Sequence, residues 1–461
     1  MNRFSGFSKR GLITTGLGLG LAGGGLAGGV LAVGEVLHAA QATTGPIARY
    51  DMRAGTTSGM GAMMGGGGMG GGGGMGGAMG MMFGGGNRGG PTHELTLELG
   101  SSQAPQGAAP NADHFMPAGA RLGTSVPLET PEKPKAEAPS QPENPQEREF
   151  RRPQGRMLIF WGCGEHSPPG QPVVIDFAKM AAGQMPAGLF GGSVPMDRWV
   201  NLMSSRTYGH WPNSRDRKTV SSDSSLLGPH RVVANYAPPM AFTLAHDFMA
   251  PLSVSSTMQP GGSVLLQWNL LPDATGYYTS LIGGKSSGQR RGGDGGQMQD
   301  LVWWSSSSSR EFGGGLSDWL SPGTVARLVA ARTVMSPQTS TCTIPAEVHA
   351  AASTFMMTTM IGYGPEERFA YPARPADPRA VWHIEWEARI RHRSMTSFMP
   401  GMPMPGMQGR GDSQSGDRSR QNQQDQHQQD QACQPKKKRG FGGLGGMIGG
   451  VLGGGSANDG C

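Results

Sequence analysis

The 461-residue chain lacks the short motifs that mark most enzyme sites. It has no Gly-x-Ser-x-Gly turn and no His-Glu-x-x-His helix, so neither the serine-hydrolase elbow nor the zinc-peptidase helix is available. Gly284-Lys285-Ser286 has the ending of a phosphate-binding loop, but the position where that loop requires its first glycine is Thr279. Gly411-Asp412-Ser413 sits in low-complexity sequence, where no rigid shell could hold a nucleophile. Charge of one sign is also in short supply. Lys and Arg number 39 against 33 Asp and Glu, and the resulting +6 is too little to call for a nucleic-acid partner. Of the four cysteines, none follows the N-terminal apolar stretch closely, which argues against a lipid-anchored start.

What is present begins with a leader. Arg3, Lys9 and Arg10 form a basic start, residues 12–33 are apolar, and Ala40-Gln41-Ala42 supplies a small-residue cleavage site ending at Ala42. Residues 1–42 therefore read as an export signal, placing the protein in the periplasm or cell envelope. Glycine is frequent in the apolar stretch, which makes it a poor permanent membrane helix. An uncleaved anchor is the alternative. Ser8-Lys9-Arg10-Gly11-Leu12-Ile13 resembles the twin-arginine signal of bacteria, whose route exports proteins already folded, with Lys9 where that family has arginine. An ordinary secretory signal accounts for the same residues.

Composition then divides the chain. Glycine (78) and methionine (30) concentrate in segments that cannot bury enough side chain to offset chain entropy. The expected organisation is a signal at 1–42, a Gly/Met-rich disordered segment at 43–90 and a β-rich domain at 91–250 with a Pro-rich loop at 127–154. A second β domain at 251–395 carries an insertion at 283–299, and a disordered low-complexity tail fills 396–461.

The ordered segments alternate with period two. Leu95, Leu97 and Leu99 oppose Glu94, Thr96 and Glu98. Met157–Trp161 and Val173–Ile175 are solid apolar runs around a Gly- and Pro-rich turn, as in a hairpin buried on both faces. Trp382, Ile384, Trp386, Ala388 and Ile390 alternate with His383, Glu385, Glu387, Arg389 and Arg391, giving one packed face and one solvated face that could serve as a contact surface. A short helix is expected at 322–331, with Ser321 as cap and Pro322 in its first turn. Val264-Leu265-Leu266-Gln267-Trp268 and the following Pro272 to Tyr277 resemble the second and third strands of fibronectin type III-like domains. In that family the tryptophan fills the space between two sheets. The fold class expected is mostly β, an Ig/fibronectin-like β-sandwich with a short helical insertion, flanked by disordered Gly/Met-rich ends. With its leader and Gly-rich ends, the chain resembles uncharacterised exported envelope proteins of Gram-negative bacteria.

Three features carry candidate chemistry. Cys163-Gly164-Glu165-His166 could supply part of a metal site, zinc above all, if His114 or His383 completed it. The plainer reading is a bridged or buried Cys163 beside a surface His166. The disulfide pairing expected is Cys163–Cys342 and Cys433–Cys461, the first within the folded segments and the second flanking the Gly-rich tail. Met60, Met63 and the methionines that follow, together with Met395, Met399, Met402, Met404 and Met407, resemble the methionine-rich segments of exported copper-handling proteins. The plainer reading is adaptable apolar contact, since the tracts lack accompanying His and Cys ligands. Lys436, Lys437, Lys438 and Arg439 precede Gly442, Gly446, Gly450 and Gly454, whose spacing resembles the glycine zippers of envelope proteins. Such a tail could touch anionic lipid or be a flexible end. The function expected is a non-enzymatic envelope protein with a binding or structural role, its partner an envelope protein or polymer. Soft-metal binding and an enzyme exported folded are the other two readings.

Overall fold

The computed structural model describes residues 42–63, 90–107, 109–132, 155–184, 194–286, 298–311 and 314–401. Strand dominates these residues, and the sheets are large and mixed. The first strands are β1 (Thr43–Thr44), β2 (Ala48–Gly59), β3 (Thr92–Ser101), β4 (Ala112–Phe115) and β5 (Ser125–Pro127). Next come β6 (Arg156–Trp161), β7 (Val173–Asp176), β8 (Thr207–Trp211), β9 (Gly228–Ala234) and β10 (Ala237–Leu244). Then follow β11 (Val254–Met258), β12 (Val264–Trp268), β13 (Gly276–Ser286) and β14 (Met298–Ser305). The last are β15 (Thr341–Ile344), β16 (Phe355–Tyr371), β17 (Trp382–His383) and β18 (Trp386–Phe398). Helices are short: α1 (Met60–Met63), α2 (Phe177–Ala181), α3 (Pro322–Ala330) and α4 (Ala346–Ala351).

Nine strands form one sheet in the order β7-β6-β14-β13-β16-β18-β2-β3-β8. It is antiparallel except for β6 with β14 and β18 with β2, which run parallel. Two smaller sheets face it. In the first, β11-β12-β15 places Val264, Leu266 and Ile344 against Leu281, Val302, Trp304, Met360 and Phe398. In the second, β10-β9-β4-β5 places Val126, Val232, Met240 and Phe242 against Tyr50, Met52, Leu97, Leu99, Trp386 and Ile390. Both smaller sheets thus pack on one shared sheet, and β18 feeds both cores. Each fully buried Leu or Met here contributes roughly 1.5–3 kcal/mol by leaving water.

This arrangement corrects the expected boundaries. Domains at 91–250 and 251–395 do not separate along the chain, because the shared sheet takes strands from both sides of residue 250. Residues 48–59, expected within the Gly/Met-rich disordered segment, form β2 in the middle of that sheet. Tyr50, Met52 and Ala54 are buried there. The parallel β2–β18 pairing joins segments more than 300 residues apart, so no local pattern could reveal it. The insertion expected at 283–299 is narrower, since β13 runs on to Ser286 and β14 begins at Met298. Gly283 is needed within β13 because a Cβ there would lie 2.6 Å from the Ala352 Cβ and 2.7 Å from the Phe355 oxygen. The strand expected from Trp382 to Ile390 is broken at Ile384 and Glu385 into β17 and β18. The expected Pro-rich loop at 127–154 starts later, because Glu129 pairs with His210.

Other local expectations fit well. Leu95, Leu97 and Leu99 are buried, and β6 and β7 form an antiparallel pair with Ile159 opposite Val173. That pair is buried on both faces along β6 but not along β7, an edge strand that leaves Val174 exposed. The Ser321 hydroxyl accepts the Thr324 N–H at 3.2 Å and starts α3. Val325 of α3 is buried on the face of the shared sheet opposite the two smaller sheets, among Tyr278, Ile361 and Tyr363. The signal at 1–41, residues 64–89, 133–154 and the tail from 402 onward lie outside the described residues.

A candidate binding cleft beside the Cys163–Cys342 bridge

The turn between β6 and β7 is fixed to both of the sheets it meets. The Gly162 N–H reaches the Ser305 oxygen at 2.9 Å, and the Trp304 indole N–H reaches the Gly162 oxygen at 2.9 Å. Gly162 has φ +94°, a conformation side chains other than glycine rarely adopt. On the other side, Gly164 donates to the Thr343 oxygen at 2.9 Å, and Cys163 is disulfide-bonded to Cys342 of β15. The bridge closes a loop of sequence separation 179 and ties the shared sheet to the three-stranded one. In the chain-entropy view, closure of that length stabilises the fold by about 5 kcal/mol.

Beyond the bridge lies a cleft of about 250 Å³ lined by Glu165, His166, Gln259, Pro260, Gly261 and Ser263. Its far wall is the turn joining β11 and β12, closed by Gly262 N–H to the Gln259 oxygen at 2.9 Å and Gln259 N–H to the Ser263 oxygen at 2.8 Å. The near wall is held by α4. Ala346 donates to the Glu165 oxygen at 3.0 Å, and Glu347 takes the Ser167 N–H at 2.9 Å while lying 3.0 Å from His166 Nδ1. The Ser167 amide, with the His166 contact behind it, holds the Glu347 carboxyl below the usual carboxylate range. The cleft is thus lined by a carboxylate, an imidazole and an amide from two hydrogen-bonded turns, with Ser263 itself buried in its wall. Such a set can donate to and accept from a polar ligand.

The residues expected to complete a metal site at this turn are not brought together. Cys163 is spent in the disulfide and presents no thiolate, the form a metal requires. His166 faces Glu347, and neither His114 nor His383 joins it. His114 is buried between Tyr50 and His230, and His383 bonds the Thr44 hydroxyl at 2.7 Å. Among the described residues, no group of three or more His, Cys, Asp or Glu is arranged to hold a metal ion. Of the methionines, Met395 packs among Tyr278, Ile361 and Tyr363, and Met399 is half-buried. Met402, Met404 and Met407, with Cys433, Cys461 and the basic Gly-zipper tail, lie outside the described residues.

The β18 face expected to be solvated is largely covered. Arg389 pairs bidentately with Asp51 at 2.9 and 3.0 Å, and Arg391 is 2% exposed between Glu366 and Asp197. The Trp199 ring lies over Arg389 at 4.1 Å and over Arg53 and Arg391 at 4.9 Å, and Trp319 covers Arg393 at 4.0 Å. Of that face, His383 and Glu385 are exposed, and the Glu387 side chain is partly so. Alternation foretold that these residues face away from the core, but not that a chain segment 190 residues distant would cover them. Sequence reasoning also missed Gln259 and Ser263, whose local signal was no more than a Pro260-Gly261-Gly262 turn. No protein-family model matches this chain, and comparison with curated proteins found no match.

Proposed function

We propose that this is a non-enzymatic exported protein of the bacterial envelope, in which the double sandwich is a rigid body for binding or structure. The observation that carries the reading is the Cys163–Cys342 bridge, a covalent tie that persists in oxidising compartments and braces the wall of a polar cleft. In this reading the cleft at Glu165, His166, Gln259 and Ser263 takes a polar group from an envelope protein or polymer, and the tail from 436 onward adds peripheral contact with lipid. The finer fold reading is that β11-β12-β15 against β14-β13-β16-β18 is a fibronectin-like sandwich. In support, the two strands of the 264–277 segment lie in opposite sheets. Trp268 and Tyr277 meet edge to face between them, with ring centroids 5.7 Å apart.

The test is expression of the full-length chain in a Gram-negative host, followed by fractionation, thiol alkylation and mass spectrometry. The expected result is envelope or periplasmic material starting at Thr43, with Cys163 and Cys342 protected from alkylation until reduced. Cytoplasmic protein with the leader intact and both thiols alkylated would overturn the proposal. Binding of the purified chain to isolated envelope material should fall in the Glu165→Ala/His166→Ala double variant, and undiminished binding would remove the cleft from the reading.

A further inference from the structure

Open sheet edges are rows of unpaired backbone donors and acceptors, and folded proteins cover or guard them. Five of the six edges of the two smaller sheets and the shared sheet are managed in this way. The short β7 ends in the charged Asp176, and β8 is bridged by Glu129 at His210. β5 has three residues and ends in Pro127. β11 is crossed by the chain at Gly401, whose N–H donates to Ser256 Oγ at 3.0 Å. β15 is capped by the Gly164 N–H on the Thr343 oxygen and by the disulfide.

The exception is β10. Its first half is blunted by Pro238, Pro239 and a register shift between Ala237 and Met240. From Met240 to Leu244 it is regular, uncharged and paired on one side only, to β9. Met240, Phe242 and Leu244 point into the core, and the exposed residues are the small Ala241 and Thr243. The nearest cation on the same outer face, Arg231 opposite Ala241, is drawn over the Phe115 ring at 4.2 Å. No described segment pairs with the outward side of β10.

We propose that this edge pairs with the β10 of a second copy of the chain, antiparallel about a two-fold axis, joining two four-stranded sheets into one of eight. Charge selects this occupant. Self-pairing sets each residue opposite a residue of the same strand, so it is destabilised by any charge and tolerated by an edge that has none. Antiparallel pairing is isologous and closes on itself, leaving at the ends of the joined sheet only the short, Pro-ended β5 of each copy. Ala241 and Thr243 are small enough for the two outer faces to meet without clash. Five residues of edge bury less than the roughly 1,000 Å² of a lasting complex, so the dimer is weak and concentration-dependent. The inference does not rest on export or on the cleft.

Sedimentation velocity of the full-length chain over a concentration series tests it. The expected result is a shift toward twice the chain mass, abolished in Ala241→Lys/Thr243→Lys, which sets like charges across the junction. A monomer at every concentration overturns the proposal, as does a dimer untouched by the two lysines. Amide exchange guards against a misfolded variant. In the unmodified chain, protection of residues 240–244 should rise with protein concentration, and protection independent of concentration overturns the pairing.

Discussion

His114 is fully buried, with both ring nitrogens in hydrogen bonds. Its neighbour His230 donates Nε2–H to the Leu226 carbonyl at 2.7 Å, which leaves His230 Nδ1 as an acceptor. His114 Nε2 lies 2.9 Å from that acceptor and must donate, so His114 Nδ1 accepts in turn from the Tyr50 hydroxyl. With both imidazoles neutral every bond in this chain is made, whereas with both protonated two ring N–H groups would face each other. Burial pushes His114 well below the ordinary histidine value and lowers His230 as well, with the His114–His230 repulsion second for His114. The unfolded chain therefore takes up protons near pH 6.5 that the fold refuses. The contribution to stability is complete above that pH and is lost as pH falls toward the folded values. Each histidine still neutral in the fold costs up to about 1.4 kcal/mol per pH unit. Denaturant midpoints should drop between pH 7.5 and pH 5, and equal midpoints would contradict this account.

At the scale of the element, β18 shows how position decides the worth of a charge. Arg391 and Glu366 are almost fully enclosed, whereas Arg49 and Glu387 at the start of the same ladder have side chains 60% and 39% exposed. A buried carboxylate stripped of its partner is expensive, and an exposed one is rehydrated. Arg368 remains beside Glu366, so Arg391→Ala should cost about 3 kcal/mol, at the lower end for a broken buried pair. Arg49→Ala should cost at most about 1 kcal/mol. Urea melts of the two variants decide the point, and equal losses would mean that burial is not what makes Arg391 matter. The Arg391 side chain also holds Asp197 and the Trp319 carbonyl, so the same variant should loosen the covering segments around Trp199 and Trp319.

For the whole molecule the shared sheet is decisive. β16 and β18 contribute to both cores, with Trp386 to Ile390 in one and Phe398 in the other. Two cores built on common strands should unfold together. Leu97→Ala empties one core and Leu266→Ala the other, each at a cost of about 2–5 kcal/mol. Both should move a single tryptophan-fluorescence transition by a similar amount. Two separate transitions, one of them unmoved by each variant, would show independent domains.

What could be read from the residues alone was local. Leu95, Leu97 and Leu99, the run from Met157 to Trp161, the Ser321-Pro322 helix start and the packed face of Trp386, Ala388 and Ile390 all follow from side-chain period and capping chemistry, which act over a few residues. Trp268 and Tyr277 pointed to a space between sheets because large aromatics need one. The cleft was half visible, through Glu165 and His166, since a Gly-rich turn bearing polar residues is a local signal. The rest depended on distant partners. Strand β2 was hidden because its neighbour β18 lies more than 300 residues away, and backbone pairing carries no signature in either strand. Gln259 and Ser263 became cleft residues only when β12 and β15 brought their turn beside Glu165. The arginines of β18 looked like a solvated face until tertiary contact laid Trp199 over them. Period and capping are short-range properties of a chain, whereas register between strands and the covering of a charged face are decided by closure of long loops.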